Sequence, residues 1–99
     1  MYMRIVIGRV RPGCWEQYEA AYRNHVEPQL LAMPGLKACW LGRSATDPDM
    51  GCTVSQWSTR AAMESYERSD AVRGDILPTV APYLSSNLLA HHCVVDERT

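Results

Sequence analysis

The sequence predicts an α+β domain in the split βαβ, ferredoxin-like order: a four-stranded antiparallel sheet with helices on one face. Three observations carry this reading. Four short segments are rich in β-branched or alternating residues. Longer segments between them repeat apolar residues every three or four positions, and Pro-Gly or Asp-Pro punctuation stands at the joins.

The elements follow in order. Tyr2 to Val10 is a strand that stops at the turn Arg11-Pro12-Gly13. Trp15, Tyr18, Tyr22, Val26, Leu30 and Met33 then form one apolar helical stripe. Pro28 removes a backbone donor and disfavours helix at Glu27, so the helix kinks or restarts there with Pro28 at a first helical position, and Pro34-Gly35 ends it. From Leu36 to Arg43 the strand alternates, with Leu36, Ala38 and Trp40 on one face and Lys37, Cys39 and Leu41 on the other. Ser44 to Gly51 is a loop, and Cys52 to Trp57 returns to complete a hairpin. Ser58 or Thr59 caps a helix that turns Ala62, Met63 and Tyr66 inward. Asp70 caps a further short helix reaching Leu77, Pro78 and Pro82 make Thr79 to Leu84 irregular or 3₁₀, and Asn87 to Val95 is the last strand. The chain shows no repeats, low-complexity segments or linkers, so residues 1–99 read as a single domain.

Composition narrows the function classes. At 99 residues, 46% hydrophobic and 21% charged, the chain has enough apolar surface to fold, which excludes intrinsic disorder. A formal charge of −1 gives no electrostatic footprint for nucleic acid or an anionic membrane surface. RNA binding on this fold class also wants aromatic strand motifs and a basic sheet, and Phe is absent. No apolar run approaches the ~20 residues of a membrane span. The N-terminal residues read as a strand rather than a signal peptide, so the expected location is cytoplasmic. Cys14, Cys39, Cys52 and Cys93 contain no C-x-x-C pair, which excludes zinc-ribbon and thioredoxin-type motifs. If Arg43 lies opposite Cys52 in the hairpin, Cys39 faces Gln56, and all four cysteines are expected to be reduced.

Both faces of the first strand are apolar: Met3, Ile5 and Ile7 point one way, and Val6, Gly8 and Val10 the other. The last strand repeats this with Leu88 and Val94 against Leu89, Cys93 and Val95. Helices cover one sheet face, so the second needs a partner, and a homodimer is expected.

The strand ending in Arg11-Pro12-Gly13, the helix running to Met33-Pro34-Gly35-Leu36, and Gln56-Trp57-Ser58-Thr59 followed by Ala61-Ala62-Met63, Tyr66 and Ser69 occur in a characteristic order. Across essentially the whole chain this resembles the antibiotic biosynthesis monooxygenase superfamily of dimeric α+β barrels. The resemblance implies a cofactor-independent oxygenase that turns phenols or hydroquinones into quinones, a haem-degrading enzyme, or a member with no assigned activity. Where the haem-degrading pattern has a strand Asn, a helix Trp and an axial His, this chain has Val6, Tyr66 and Ile76, which disfavours haem. Some quinol-oxidising relatives carry a His shortly after the second helix, where this chain has Ala71.

His25, beside the apolar stripe and near Tyr22, is the candidate general base, against a local role at a helix edge. Arg4 shares a face with Val6 and Gly8; it either stabilises a phenolate or enolate or is an edge residue reaching solvent. Tyr66 either orients an oxyanion or packs its ring on Trp57. Tyr22, Trp40, Trp57, Val6 and Gly8 are the candidate substrate contacts, with core packing the competing role for both tryptophans. Gly8 either leaves room for a ligand or marks a bulge. His91 and His92 point to opposite faces and cannot chelate one metal, so no metal site is expected. The leading expectation is a monooxygenase that uses O₂ on a small phenolic, quinol or polyketide-like aromatic substrate, with no cofactor. The alternatives are a small-ligand binding or accessory dimer without turnover, and a cyclase or isomerase on the same fold.

Overall fold

The computed structural model describes residues 1–96. Four strands form one antiparallel sheet in the order β2-β3-β1-β4: β1 Tyr2–Arg9, β2 Leu36–Arg43, β3 Met50–Trp57 and β4 Leu89–Val94. Two helical arms cross one face. The first runs from α1 (Trp15–Ala21) through a π turn (Tyr22–Val26) into α2 (Glu27–Leu31). The second comprises α3 (Arg60–Glu67), a π turn (Val72–Ile76), α4 (Leu77–Val80) and a 3₁₀ turn (Ala81–Tyr83). The predicted fold class is therefore the observed one.

Local chemistry fixes the joins. The amide of Cys14 bonds to the Arg11 carbonyl at 3.0 Å and that of Leu36 to the Met33 carbonyl at 3.3 Å. Each spans a Pro-Gly pair whose glycine has positive φ (77° at Gly13, 86° at Gly35), the arrangement of a type II turn. Thr59 caps α3, its Oγ1 accepting from Ala62 N at 3.1 Å. Ser69, not Asp70, joins α3 to the next turn: its hydroxyl donates to the Tyr66 carbonyl at 2.6 Å and accepts from Val72 N at 3.4 Å.

The π turns answer the prolines. A proline has no N–H, and its ring crowds the carbonyl four residues back. In both arms the residue before the proline instead donates five residues back, Glu27 to the Tyr22 carbonyl and Leu77 to the Val72 carbonyl. The two segments, Tyr22-Arg23-Asn24-His25-Val26-Glu27-Pro28 and Val72-Arg73-Gly74-Asp75-Ile76-Leu77-Pro78, share Arg and Pro at matching positions. The shared turn carries the second arm past Pro78, in α4, instead of ending helix at Leu77 as expected.

The hairpin register also differs by one from the expectation. Arg43 pairs with Gly51 and Cys39 with Ser55, because β3 begins at Met50. A bulge between Leu36 and Ala38 puts Leu36 opposite Trp57, on the helix side, while Ala38 and Trp40 face away. All four cysteines are free thiols. The core lies between sheet and arms, around Trp57, Tyr22 and Val10. The opposite face presents Met3, Ile5, Ile7 and Val54 with Trp40 (50% exposed) and Leu89 (62% exposed).

Candidate active site

A cavity of about 60 Å³ sits between the sheet and the two π turns. Strand alternation supplies its floor: Arg4 and Val6 from β1, and Thr53 and Ser55 paired with them from β3. One wall is Tyr18, Tyr22, Val26 and Leu30 of the first arm. The other is Tyr66, Val72, Ile76 and Val80 of the second, with Leu88 closing an end. Among the described residues, no carboxylate, imidazole or lysine lines it.

Its polar groups are few. The Tyr22 hydroxyl is buried and makes no hydrogen bond, the neighbouring Cys39 thiol being a weak partner. Burial, reinforced by Cys39 and Glu27, raises the Tyr22 phenol above its ordinary pKa, with Arg23 opposing. Tyr18 is raised by burial and by Cys52. Tyr66 is raised chiefly by burial, with Arg4 working against it. All three therefore remain protonated donors at neutral pH. Ser55 Oγ accepts from Trp57 Nε1 at 2.8 Å, which locks the indole beneath the site. Arg4 is the cation at this floor: its guanidinium lies 5.7 Å from the Tyr66 ring centre, and its Nε is 3.1 Å from Glu67 Oε2.

The structure thus brings together Arg4, Val6, Tyr22 and Tyr66 around the cavity, and it leaves four other predicted site residues out of the lining. His25 is exposed, in a shallow depression with Gln17, Asn24, Thr79 and Tyr83. The π turn explains this: with more residues per turn, three steps beyond Tyr22 no longer return to its face. Trp40 is on the open sheet face, opposite Val54. Trp57 is fully buried and packs on Tyr66 with ring centres 5.3 Å apart, so it supports the wall without lining the cavity. The space above Gly8 is filled by Leu88, whose Cδ2 sits where a Cβ would stand. Ser55 and Thr53 were missed, although their alternation with Trp57 was available as a signal. Glu67 and His92 were missed because their pairing spans 25 residues.

Fold and site define the chain as a ferredoxin-like α+β domain with a buried, mainly apolar pocket between sheet and helices. It belongs to the antibiotic biosynthesis monooxygenase family, whose model matches residues 1–74. Solved structures agree in fold. A provisionally named antibiotic biosynthesis monooxygenase from Bordetella bronchiseptica has a TM-score of 0.84 at 22% identity, covering 96% of each chain. One from Nitrosomonas europaea has a TM-score of 0.82 at 21% identity, covering 96% of this chain and 98% of that one. A conserved protein from Methanosarcina mazei has a TM-score of 0.79 at 16% identity, covering 94% and 91%. No curated protein sequence matches the chain. Among the described residues, no helix is long and apolar enough to cross a membrane.

Proposed function

We propose that the chain is a cofactor-independent monooxygenase for a small phenolic, quinol or polyketide-like aromatic substrate. The observation that carries this is the unpartnered, buried Tyr22 hydroxyl facing a cavity whose floor bears Arg4. An orphaned buried hydroxyl costs about 1–3 kcal/mol, which a ligand oxygen would recover. Arg4 stabilises the oxyanion of the bound substrate, while Tyr22 and Tyr66 donate to its oxygens. The electron-rich anion then reduces O₂ directly. A ring CH₂ becomes a carbonyl, one oxygen atom enters the product and the other leaves as water (RH₂ + O₂ → RO + H₂O).

Ordinary ligand pockets measure ~300–1,000 Å³. At about 60 Å³ this cavity is smaller than an aromatic substrate needs, so the arms part to admit a ring. The seam between them is spanned by Gln29 Nε2 donating to Asp75 Oδ2 at 2.8 Å, and Gln29 also donates to the His25 carbonyl at 2.7 Å. The open apolar sheet face is covered by a second copy, giving a homodimer. A second reading, a binding or accessory dimer without turnover, is favoured by the absence of a neutral-pH base among the described cavity residues.

Oxygen uptake by the metal-stripped protein, against anthrones, naphthols and hydroquinones and with a heat-denatured control, separates the two. Uptake above the control, reduced at least about tenfold in Arg4→Met, is expected; tenfold corresponds to ~1.4 kcal/mol of transition-state stabilisation. Ligand-induced thermal stabilisation without uptake would establish the binding reading instead. Sedimentation of the wild-type protein as a monomer at micromolar concentration would remove the dimer.

A further inference from the structure

Arg4 is the middle of a larger arrangement. Glu67, the last residue of α3, follows Tyr66, so one residue faces the cavity and the next reaches its outer rim. Glu67 Oε2 contacts Arg4 Nε at 3.1 Å, and its two oxygens lie 2.8 and 2.9 Å from His92 Nε2. Arg4 and His92 are direct cross-strand partners of β1 and β4, so both project towards Glu67 from the same sheet face. A carboxylate only accepts hydrogen bonds, so Nε2 carries a proton and Nδ1 is the basic nitrogen of the neutral ring. The His92 side chain is 44% exposed, against 18% for Arg4 and 25% for Glu67, so solvent reaches the imidazole. Burial pushes the Glu67 carboxyl up, but His92 and Arg4 outweigh it and hold the group below its ordinary range.

With His92 neutral, Glu67 cancels the charge of Arg4, and the cluster offers a ligand anion nothing. With His92 protonated, two cations share one carboxylate, and the surplus charge is available at the cavity floor. The outer cleft also presents Tyr2 from β1, Cys93 from β4, and Arg60 and Glu64 from α3. Arg60 and Glu64 pair with each other at 2.8 Å, so their charges offset.

We propose that His92, acting through Glu67, is the proton acceptor that switches on the Arg4 site. A hydroxyaromatic ligand binds as its oxyanion against Arg4 while its proton is taken up at His92 Nδ1. The balance is simple: the ligand O–H bond breaks, an N–H bond forms, and the proton passes through solvent. Glu67 and His92 are positioning residues, since neither touches the ligand. This rests on the reading of the cavity as a phenol site, and it supplies the base which that site lacks.

Two measurements on the full chain test it. In the ligand-free protein, the His92 ring resonances followed against pH report the coupling. Arg4→Met, which removes the competing cation, is expected to raise the His92 midpoint. Glu67→Gln is expected to lower it by at least about half a pH unit, roughly threefold in proton affinity. Midpoints unmoved in both variants overturn the proposal whatever the enzyme does. In the second measurement, 4-nitrophenol serves as a chromophoric probe. Wild type is expected to bind the phenolate with proton uptake near neutral pH, and His92→Gln to bind it without that uptake. Glu67→Gln is expected to bind it severalfold more tightly at neutral pH, because Arg4 is released. Weaker binding in Glu67→Gln would mark a merely structural carboxylate and overturn the linkage alone. No binding by any of the proteins would overturn the phenol site and the linkage together.

Discussion

The first helical arm, residues 15–31, and the second, residues 60–83, meet the same local problem and then diverge. Each carries a proline two residues beyond a π turn, and each replaces the lost donor with a bond five residues back. The first is one continuous helical run whose buried residues include Tyr18 and Tyr22, phenols turned towards the cavity. The second is broken after α3, where Ser69 re-caps the chain, and its π turn buries Val72 and Ile76, which carry no polar tip. Backbone chemistry set by proline is thus shared, while side-chain chemistry assigns the arms different work. One wall carries the unpartnered Tyr22 hydroxyl, and the other is mainly aliphatic beyond Tyr66. The second arm contributes one phenol to the cavity, Tyr66, and its charged group, Arg4's partner Glu67, lies on the rim.

That contrast makes graded predictions. The largest effect belongs to the second arm: Met63→Ala, at a site only 2% exposed, is expected to lower unfolding free energy by about 2–5 kcal/mol. An unchanged denaturant midpoint would show that α3 does not hold the core. Tyr22→Phe is the opposite case. Deleting an unpartnered buried hydroxyl is expected to leave stability unchanged or raise it by up to about 1 kcal/mol, while aromatic-ligand affinity falls severalfold. Concerted loss of stability and binding in a melting series would instead make Tyr22 a packing residue like those of the other arm. Gln29→Ala cuts the tie between arms at a half-buried position, so stability should fall by no more than about 1 kcal/mol. Amide exchange in residues 22–26 and 72–76 should nonetheless accelerate; unchanged exchange would mean that the arms are not latched there.

The smallest effect is in acid. Glu67 has a folded pKa below its unfolded value, so its contribution is present above the ordinary carboxylate pKa of ~4.3 and is lost as pH falls through the folded value. Glu67→Gln should therefore flatten the acid limb of the stability curve by slightly lowering the neutral plateau, with stability in acid unchanged. The pair is partly exposed, so the limb is shallow.

Element types and order, the turns at Pro12-Gly13 and Pro34-Gly35, and the apolar stripe from Trp15 to Leu30 were determined by the sequence alone. These depend on neighbours three or four residues apart and on backbone preferences that proline and glycine impose anywhere. The inward set Arg4, Val6, Tyr22 and Tyr66 was legible for the same reason, since strand alternation and helical spacing assign a face without knowing the partner. What tertiary structure decided was rotation and register. A widened turn swung His25 out of the site, and one bulge and a hairpin offset by one residue placed Cys39 and Leu41 inward and Trp40 outward. A side chain from a distant loop, Leu88, took the space that Gly8 left. The Arg4–Glu67–His92 cluster joins residues up to 88 positions apart through a strand pairing and a helix end, so no local pattern encodes it. Charge partners are chosen by where the chain returns in space, and that is settled only when the sheet closes on its helices.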